Sequence, residues 1–203
     1  PADIVFPIRD LAKGRTEHLE AEVLSVDLFK KSVITSKGDV SYDYLISALG
    51  AGTNFFGVAG APENSFTLKN VKDAIKLKNH LIHIFDDANN EKDLERQKDI
   101  LRIVIIGGGA TGVELGAEIH EFLGRVNKEY PHIPETAVEF YLIEAGDKLL
   151  SIFHPKFSEK ALKIMQKKGF KVIFKDPCAK VTEQGIVCAS NKEIKSRTVI
   201  WTS

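Results

Sequence analysis

Leu101-Arg102-Ile103-Val104-Ile105-Ile106-Gly107-Gly108-Gly109-Ala110-Thr111-Gly112 is the stretch from which the fold of this 203-residue chain is read. Apart from Arg102, its first half is a continuous apolar run, the pattern of a parallel strand covered on both faces. Three glycines then end the strand, and Leu115, Ile119, Phe122, Leu123 and Val126 recur at helical spacing. Pro131 and Pro134 mark a loop, and Val138 to Ile143 reads as the next strand. The result is a βαβ unit, so the predicted class is α/β with a Rossmann-like core.

Within that unit Gly107, Gly108, Gly109, Ala110, Thr111 and Gly112 satisfy GxGxxG directly after a strand and before a helix, the context the motif requires. Gly107 permits the tight turn, Gly109 lets backbone approach a pyrophosphate, and Gly112, with Gly116 and Ala117, lets the helix pack close to the sheet. The helix start then offers N–H groups to phosphate oxygens. A glycine turn that binds nothing is the bland alternative, and the complete βαβ context weighs against it.

Glu144 ends the second strand, where a carboxylate accepts ribose hydroxyls and repels a 2′-phosphate, favouring NADH over NADPH. It stands 37 positions after Gly107, against an interval of about 20 in the usual fingerprint. The excess falls in the longer helix and the Tyr130 to Thr136 loop. Lys148, just beyond, reads either as a phosphate contact or as a solvated lysine. Glu114 is expected in the first turn of the glycine-motif helix, as a helix-start acid or as a group near the nicotinamide.

Working outward, Pro155 opens a helix carrying Phe157, Ala161, Ile164 and Met165, which Gly169 ends before a strand at Lys171 to Phe174. The tail from Val181 reads as a meander with turns at Glu183-Gln184-Gly185 and Ser190-Asn191-Lys192 and a final strand at Thr198 to Thr202. Towards the N-terminus, Ala21 to Val26, Ser32 to Thr35 and Tyr44 to Ala48 read as strands of an earlier meander, with a turn at Ser36-Lys37-Gly38-Asp39. Tyr42 to Gly50 and Ser196 to Ser203 hint at a weak internal repeat. Between the meanders, Val71 to Phe85 has the spacing of an amphipathic helix, and charge-rich Asp86 to Asp99 reads as a helical extension or a linker at a domain boundary.

The 28 basic residues balance the 28 acidic ones, so no net field recruits nucleic acid or an anionic membrane. Cys178 and Cys188 flank an expected hairpin. Structural thiols are the first reading, with a cross-strand disulfide or redox thiol as alternatives. His80, His83 and Asp87 share a helical face, but no cysteine joins them and no metal is assigned. No apolar run reaches the roughly 18 residues of a membrane span, and Pro1-Ala2-Asp3 does not open a signal peptide. A reducing, intracellular setting is expected. Pro1 to Ile8 and Thr198 to Ser203 both break off in mid-pattern, which suggests an internal piece of a longer chain.

Ile103 to Leu115 resembles the nicotinamide-domain signature of the two-dinucleotide flavoproteins, especially type II NADH dehydrogenases. Tyr42 to Gly50, followed by Thr53 to Val58, resembles the segment in which that family's FAD domain returns to the flavin. The resemblance implies that residues 1–68 are the C-terminal part of an FAD-binding domain, 69–99 a connecting helix and linker, and 100–203 the NADH-binding domain. It implies FAD and NADH as cofactors, contacts from Ala48, Leu49, Gly50 and Thr202, and a place for Glu114 near the two reacting rings. Hydride transfer from NADH to FAD, then electron delivery to a quinone or other acceptor, is the implied activity, and this piece alone is expected to be inactive. A cytoplasmic setting, peripheral attachment to the inner face of the cell membrane and a homodimer follow by the same analogy.

The family's first GxGxxG and its later Gly-Asp segment are absent from these 203 residues, which puts FAD retention in doubt. A disulfide or peroxide reductase of the same superfamily, a nucleotide-binding module without catalysis, and an NADPH-linked ferredoxin-type reductase are the competing readings. Neither cysteine stands where the first would need it, and Glu144 argues against the last.

Overall fold

The computed structural model describes Pro7, Asp10, Gly14 and residues 16–203. Apart from Pro7, the opening Pro1 to Ile8 pattern lies outside these residues. The chain divides into two compact units, Pro1–Ala51 and Gly52–Ser203.

In the first unit β1 (Val23–Asp27), β2 (Ser32–Thr35) and β3 (Gly38–Ser41) form an antiparallel sheet in sequence order. The β2–β3 turn falls at Ser36-Lys37 and is fastened by the Thr35 hydroxyl, which donates to the Gly38 carbonyl at 2.6 Å. Tyr44 to Ala48 is not a strand, contrary to its pattern. Tyr44 and Ile46 are exposed, and among the described residues no neighbouring strand pairs with this segment. β-propensity cannot form a ladder without a partner backbone.

The second unit has three layers. After a short helix α1 (Ala61–Asn64) come α2 (Val71–Asn90) and α3 (Leu94–Leu101). The charge-rich stretch is therefore mostly helical. Asp93 caps α3 by accepting from the N–H groups of Glu95 and Arg96, and the Gln97 amide donates to the Ala88 carbonyl at 2.9 Å. β4 (Ile103–Ile106), α4 (Ala110–Val126), β5 (Phe140–Glu144), α5 (Pro155–Lys167) and β6 (Phe170–Phe174) follow the expected alternation. A hairpin of β7 (Cys178–Thr182) and β8 (Gly185–Cys188) leads to β9 (Glu193–Lys195) and β10 (Thr198–Trp201).

The parallel sheet has the order β10-β4-β5-β6, whereas β7-β8-β9 is a separate antiparallel sheet. The last strand thus leaves the meander to which its sequence neighbours belong. Its four residues are all buried, and that continuous burial suits a two-faced parallel strand better than a meander edge.

Strand pleating sorts the core. Ile103, Ile105, Leu142 and Ile200 pack with α2 to α5, whereas Val104, Ile106, Ile143, Val199 and Trp201 pack with meander residues such as Val181 and Ile186. Residues 52–66 also belong to this unit: Phe66 donates its N–H to Val199 and accepts from Trp201, both at 2.8 Å, and Ala59 bridges Lys180. Among the described residues no helix is long and apolar enough to cross a membrane.

Candidate functional site

Register places Ile106 opposite both Ile143 and Trp201, so the C-terminal ends of β4, β5 and β10 share one edge of the sheet. In parallel α/β sheets that edge, where the connections diverge, is where ligands bind. A cleft of about 300 Å³ opens there, lined by Val58, Gly107, Ile143, Glu144, Cys178 and Trp201 among others.

Each glycine of the motif meets a different demand. Gly107 has φ 113°, a conformation that side chains rarely adopt. A Cβ on Gly112 would stand 1.9 Å from the Gly107 carbonyl oxygen, so the helix can approach the loop only without one. Gly109, in contrast, has an ordinary φ of −73° and nothing within 4 Å of a Cβ position. No intramolecular contact requires glycine there, and the open space lies over the start of α4. No side chain caps that helix, so its first-turn N–H groups and dipole face an approaching anion.

Glu144 is tied to the loop it faces. One carboxylate oxygen accepts the Gly108 N–H at 2.6 Å and the other accepts the Gly146 N–H at 2.7 Å. A carboxylate has about four acceptor positions, so two remain for further donors. The loop is further held by Leu150, whose N–H donates to the Gly108 carbonyl, and by Gly107, whose N–H donates to Ile143, both at 2.8 Å. Thr202 lies beside the same turn: its hydroxyl donates to the Ile106 carbonyl at 2.8 Å.

Ala110 is half-buried and Thr111 exposed at the helix start, whereas Glu114 is the fifth helical residue and exposed. The first turn contains no acid, which corrects the placement expected for Glu114: the helix begins at Ala110, after the glycines have completed the turn. Ala48, Leu49 and Gly50 lie in the first unit, exposed and outside regular secondary structure. Lys148 is exposed.

The wall formed by Val58, Pro177, Cys178 and Trp201 was not anticipated from sequence. Trp201 donates its indole N–H to the Asn54 carbonyl at 2.9 Å and packs on Phe55, which fixes the ring. Cys178 pairs in register with Cys188, and both are buried free thiols. Burial pushes the Cys178 thiol up to about 11 and raises that of Cys188 as well. His80 shares a 2.8 Å hydrogen bond with the Thr198 hydroxyl, and Asp87 pairs with Arg197 at 3.0 Å.

Curated relatives have similar sequences. The external alternative NAD(P)H-ubiquinone oxidoreductase B2 of Arabidopsis thaliana mitochondria is 35% identical over 198 residues, covering 90% of this chain and 34% of that protein. A type II NADH:quinone oxidoreductase of Staphylococcus epidermidis is 28% identical over 205 residues, covering 99% and 50%. Among solved structures, NDH2 from Plasmodium falciparum in complex with NADH superposes with a TM-score of 0.79 at 27% identity, covering 91% of this chain and 40% of that one. The chain thus spans from a third to half the length of these proteins. Residues 7–203 match the model of the pyridine nucleotide-disulphide oxidoreductases, a match over nearly the whole chain, and the chain belongs to that family.

Proposed function

We propose that the domain of residues 100–203 binds NADH, and that in the complete protein it holds the nicotinamide for hydride transfer to FAD, with electrons passing on to a quinone. The observation that carries the reading is the contrast at the glycine loop. Gly107 and Gly112 are demanded by the fold, whereas Gly109 is left bare above an uncapped helix start, a cradle that a pyrophosphate fills.

The residues fit the dinucleotide as follows. The α4 N-terminus and the Gly109 backbone take the pyrophosphate, Glu144 accepts from the adenosine ribose, and the cleft walled by Val58 and Trp201 shields the ligand from water. When bound, NADH supplies a hydride from nicotinamide C4 and FAD accepts it at N5. The chain's own part is binding, orientation and exclusion of water. Its free thiols are buried, which favours this reading over a disulfide reductase.

Residues 1–68 as the end of an FAD domain, with Ala48, Leu49 and Gly50 on the flavin nucleotide and Thr202 and Glu114 near the rings, form the part of the proposal that rests on family resemblance. Quinone as acceptor is supported by the names of the relatives. Peripheral membrane attachment and a homodimer belong to the same reading of the complete protein.

The test is a titration of this chain with NADH and NADPH, followed by energy transfer from Trp201, which lines the cleft. Saturable binding with NADH preferred, weakened at least about tenfold by Gly109→Val and losing its preference in Glu144→Ala, is the expected result. A folded chain that binds neither nucleotide overturns the proposal.

A further inference from the structure

The balance of charge over the whole chain conceals a local excess on α5. Lys156, Lys160, Lys163 and Lys167 follow one another at intervals of four, three and four, the helical repeat, so they form one stripe. All four are exposed, whereas Ser158, Ala161 and Met165 turn towards the core. Glu159 is the one acid between Pro155 and Lys167. Among the described residues none of the four lysines stands in an ion pair, while nearby Lys168 and Lys171 are paired with Glu121 and Glu139.

Apolar side chains border the stripe. Phe157 and Ile164 alternate with Lys160 and Lys167 at helical spacing along one shoulder of α5, and both are exposed. In the turn before the helix Ile152 is 89% exposed, and Phe153 also reaches solvent. That turn is fastened: Leu150 takes the left-handed conformation at φ 51°, the Phe153 N–H donates to the Leu150 carbonyl at 2.9 Å, and Leu149 behind it is fully buried. The presentation of Ile152 is therefore built into the fold.

Neither feature serves the stability of this unit. Like charges four residues apart weaken a helix, and large apolar groups left in water forgo the gain of burial. Together they compose a surface suited to an anionic bilayer: lysine heads reach lipid phosphates while their stems and the neighbouring apolar side chains enter the interface. Shape favours lipid over a peptide. Among the described residues the 300 Å³ cleft and the other larger hollows are lined by other side chains, so the stripe offers no groove of the kind that holds a peptide helix, and a bilayer needs none.

We propose that the α5 lysine stripe and the Ile152-Phe153 turn dock this unit on an anionic lipid bilayer. This names a surface for the peripheral attachment read above, on which it rests, and none of its residues lines the nucleotide cleft.

The test is flotation of the whole chain with vesicles of phosphatidylcholine alone or mixed equally with phosphatidylglycerol. Binding to the mixed vesicles at least about tenfold tighter, and lost in high salt, is expected. Each lysine near an anionic surface strengthens binding roughly fivefold, so Lys156→Gln, Lys160→Gln, Lys163→Gln and Lys167→Gln together should weaken it at least about a hundredfold. Ile152→Ser with Phe157→Ser should weaken it about tenfold. A charge-matched control, Lys69→Gln, Lys72→Gln, Lys78→Gln and Lys128→Gln together, should bind within about twofold of the parent. NADH titrations of the same variants read the nucleotide site separately and should be unchanged. No flotation, equal binding to both vesicles, or equal loss in the control would each overturn the proposal. Retention of a polyglutamate peptide in place of vesicles would also overturn it and assign the stripe to an acidic protein.

Discussion

Glu144 and Gly108 are joined by a 2.6 Å hydrogen bond from the glycine N–H to the glutamate carboxylate, so the residue expected to recognise a ribose also holds the phosphate loop in shape. On the proposed reading, recognition and scaffolding share one side chain. Glu144→Ala is expected to lower stability by about 1–3 kcal/mol, because two charge-assisted bonds are lost and the Gly108 and Gly146 N–H groups lose their acceptor. Glu144→Gln, which keeps an acceptor oxygen, should lose less. Urea denaturation of the three proteins checks this, and equal stability would separate the two roles.

The steric contrast in the loop gives a second prediction. Gly112→Ala forces a Cβ to 1.9 Å from the Gly107 oxygen and should destabilise the fold by about 1–3 kcal/mol or more. Gly109→Ala meets open space and should leave the unfolding midpoint almost unchanged. The paired denaturation curves read this directly, without nucleotide.

A third prediction concerns Arg102, which is 13% exposed and donates to Glu139 at 2.7 Å, Asp99 at 2.6 Å and the Lys195 carbonyl at 2.7 Å. Burial alone would raise the Glu139 carboxyl, but hydrogen bonds from Lys171 and Arg102 outweigh it and hold the group below its ordinary value. A depressed folded pKa contributes stability that is present above the unfolded carboxyl pKa and is lost as pH falls through the folded one. Stability should therefore fall from about pH 4.5 downward. Arg102→Met should cost about 2 kcal/mol at pH 7 and shrink that acid-dependent loss, as unfolding midpoints measured across the acid range would reveal.

The Cys178 thiol, pushed up to about 11 by burial in the cleft wall, should alkylate slowly. At pH 7.5 its reaction with iodoacetamide should run roughly a hundredfold slower than that of an ordinary exposed thiol, and rise about tenfold per pH unit up to its pKa. NADH should slow it further. Mass spectrometry of the time course checks both, and a fast reaction indifferent to NADH would contradict the burial and the placement.

Which parts of this architecture were legible in the sequence follows from how local their causes are. The βαβ unit around Gly107 was readable because strand burial, helix period and the glycine turn are each written within a few residues. Asp93 as a helix cap is also written locally, although the charge around it left a helical extension and a linker both open. Tyr44 to Ala48 failed as a strand because pairing is a property of two segments. The same reason hid the wall formed by Val58 and Trp201, and the desertion of the meander by Thr198 to Trp201. Glu114 fell one position past the first turn because a helix start is uncertain by a residue or two.

The pairing of Thr198–Trp201 with Ile103–Ile106 also dictates an order of events during synthesis. The strand beneath the glycine turn emerges from the ribosome some 95 residues before its neighbour, and the Thr202 hydroxyl that braces the Ile106 carbonyl comes later still. Contacts so distant along the chain form late and slow the search for the native state. The nascent unit must therefore wait, with one flank of β4 open to wrong partners, until nearly its whole length has been translated. A translational pause late enough for Trp201 to have left the ribosome would aid its maturation, and one placed between β4 and β10 would expose it to aggregation.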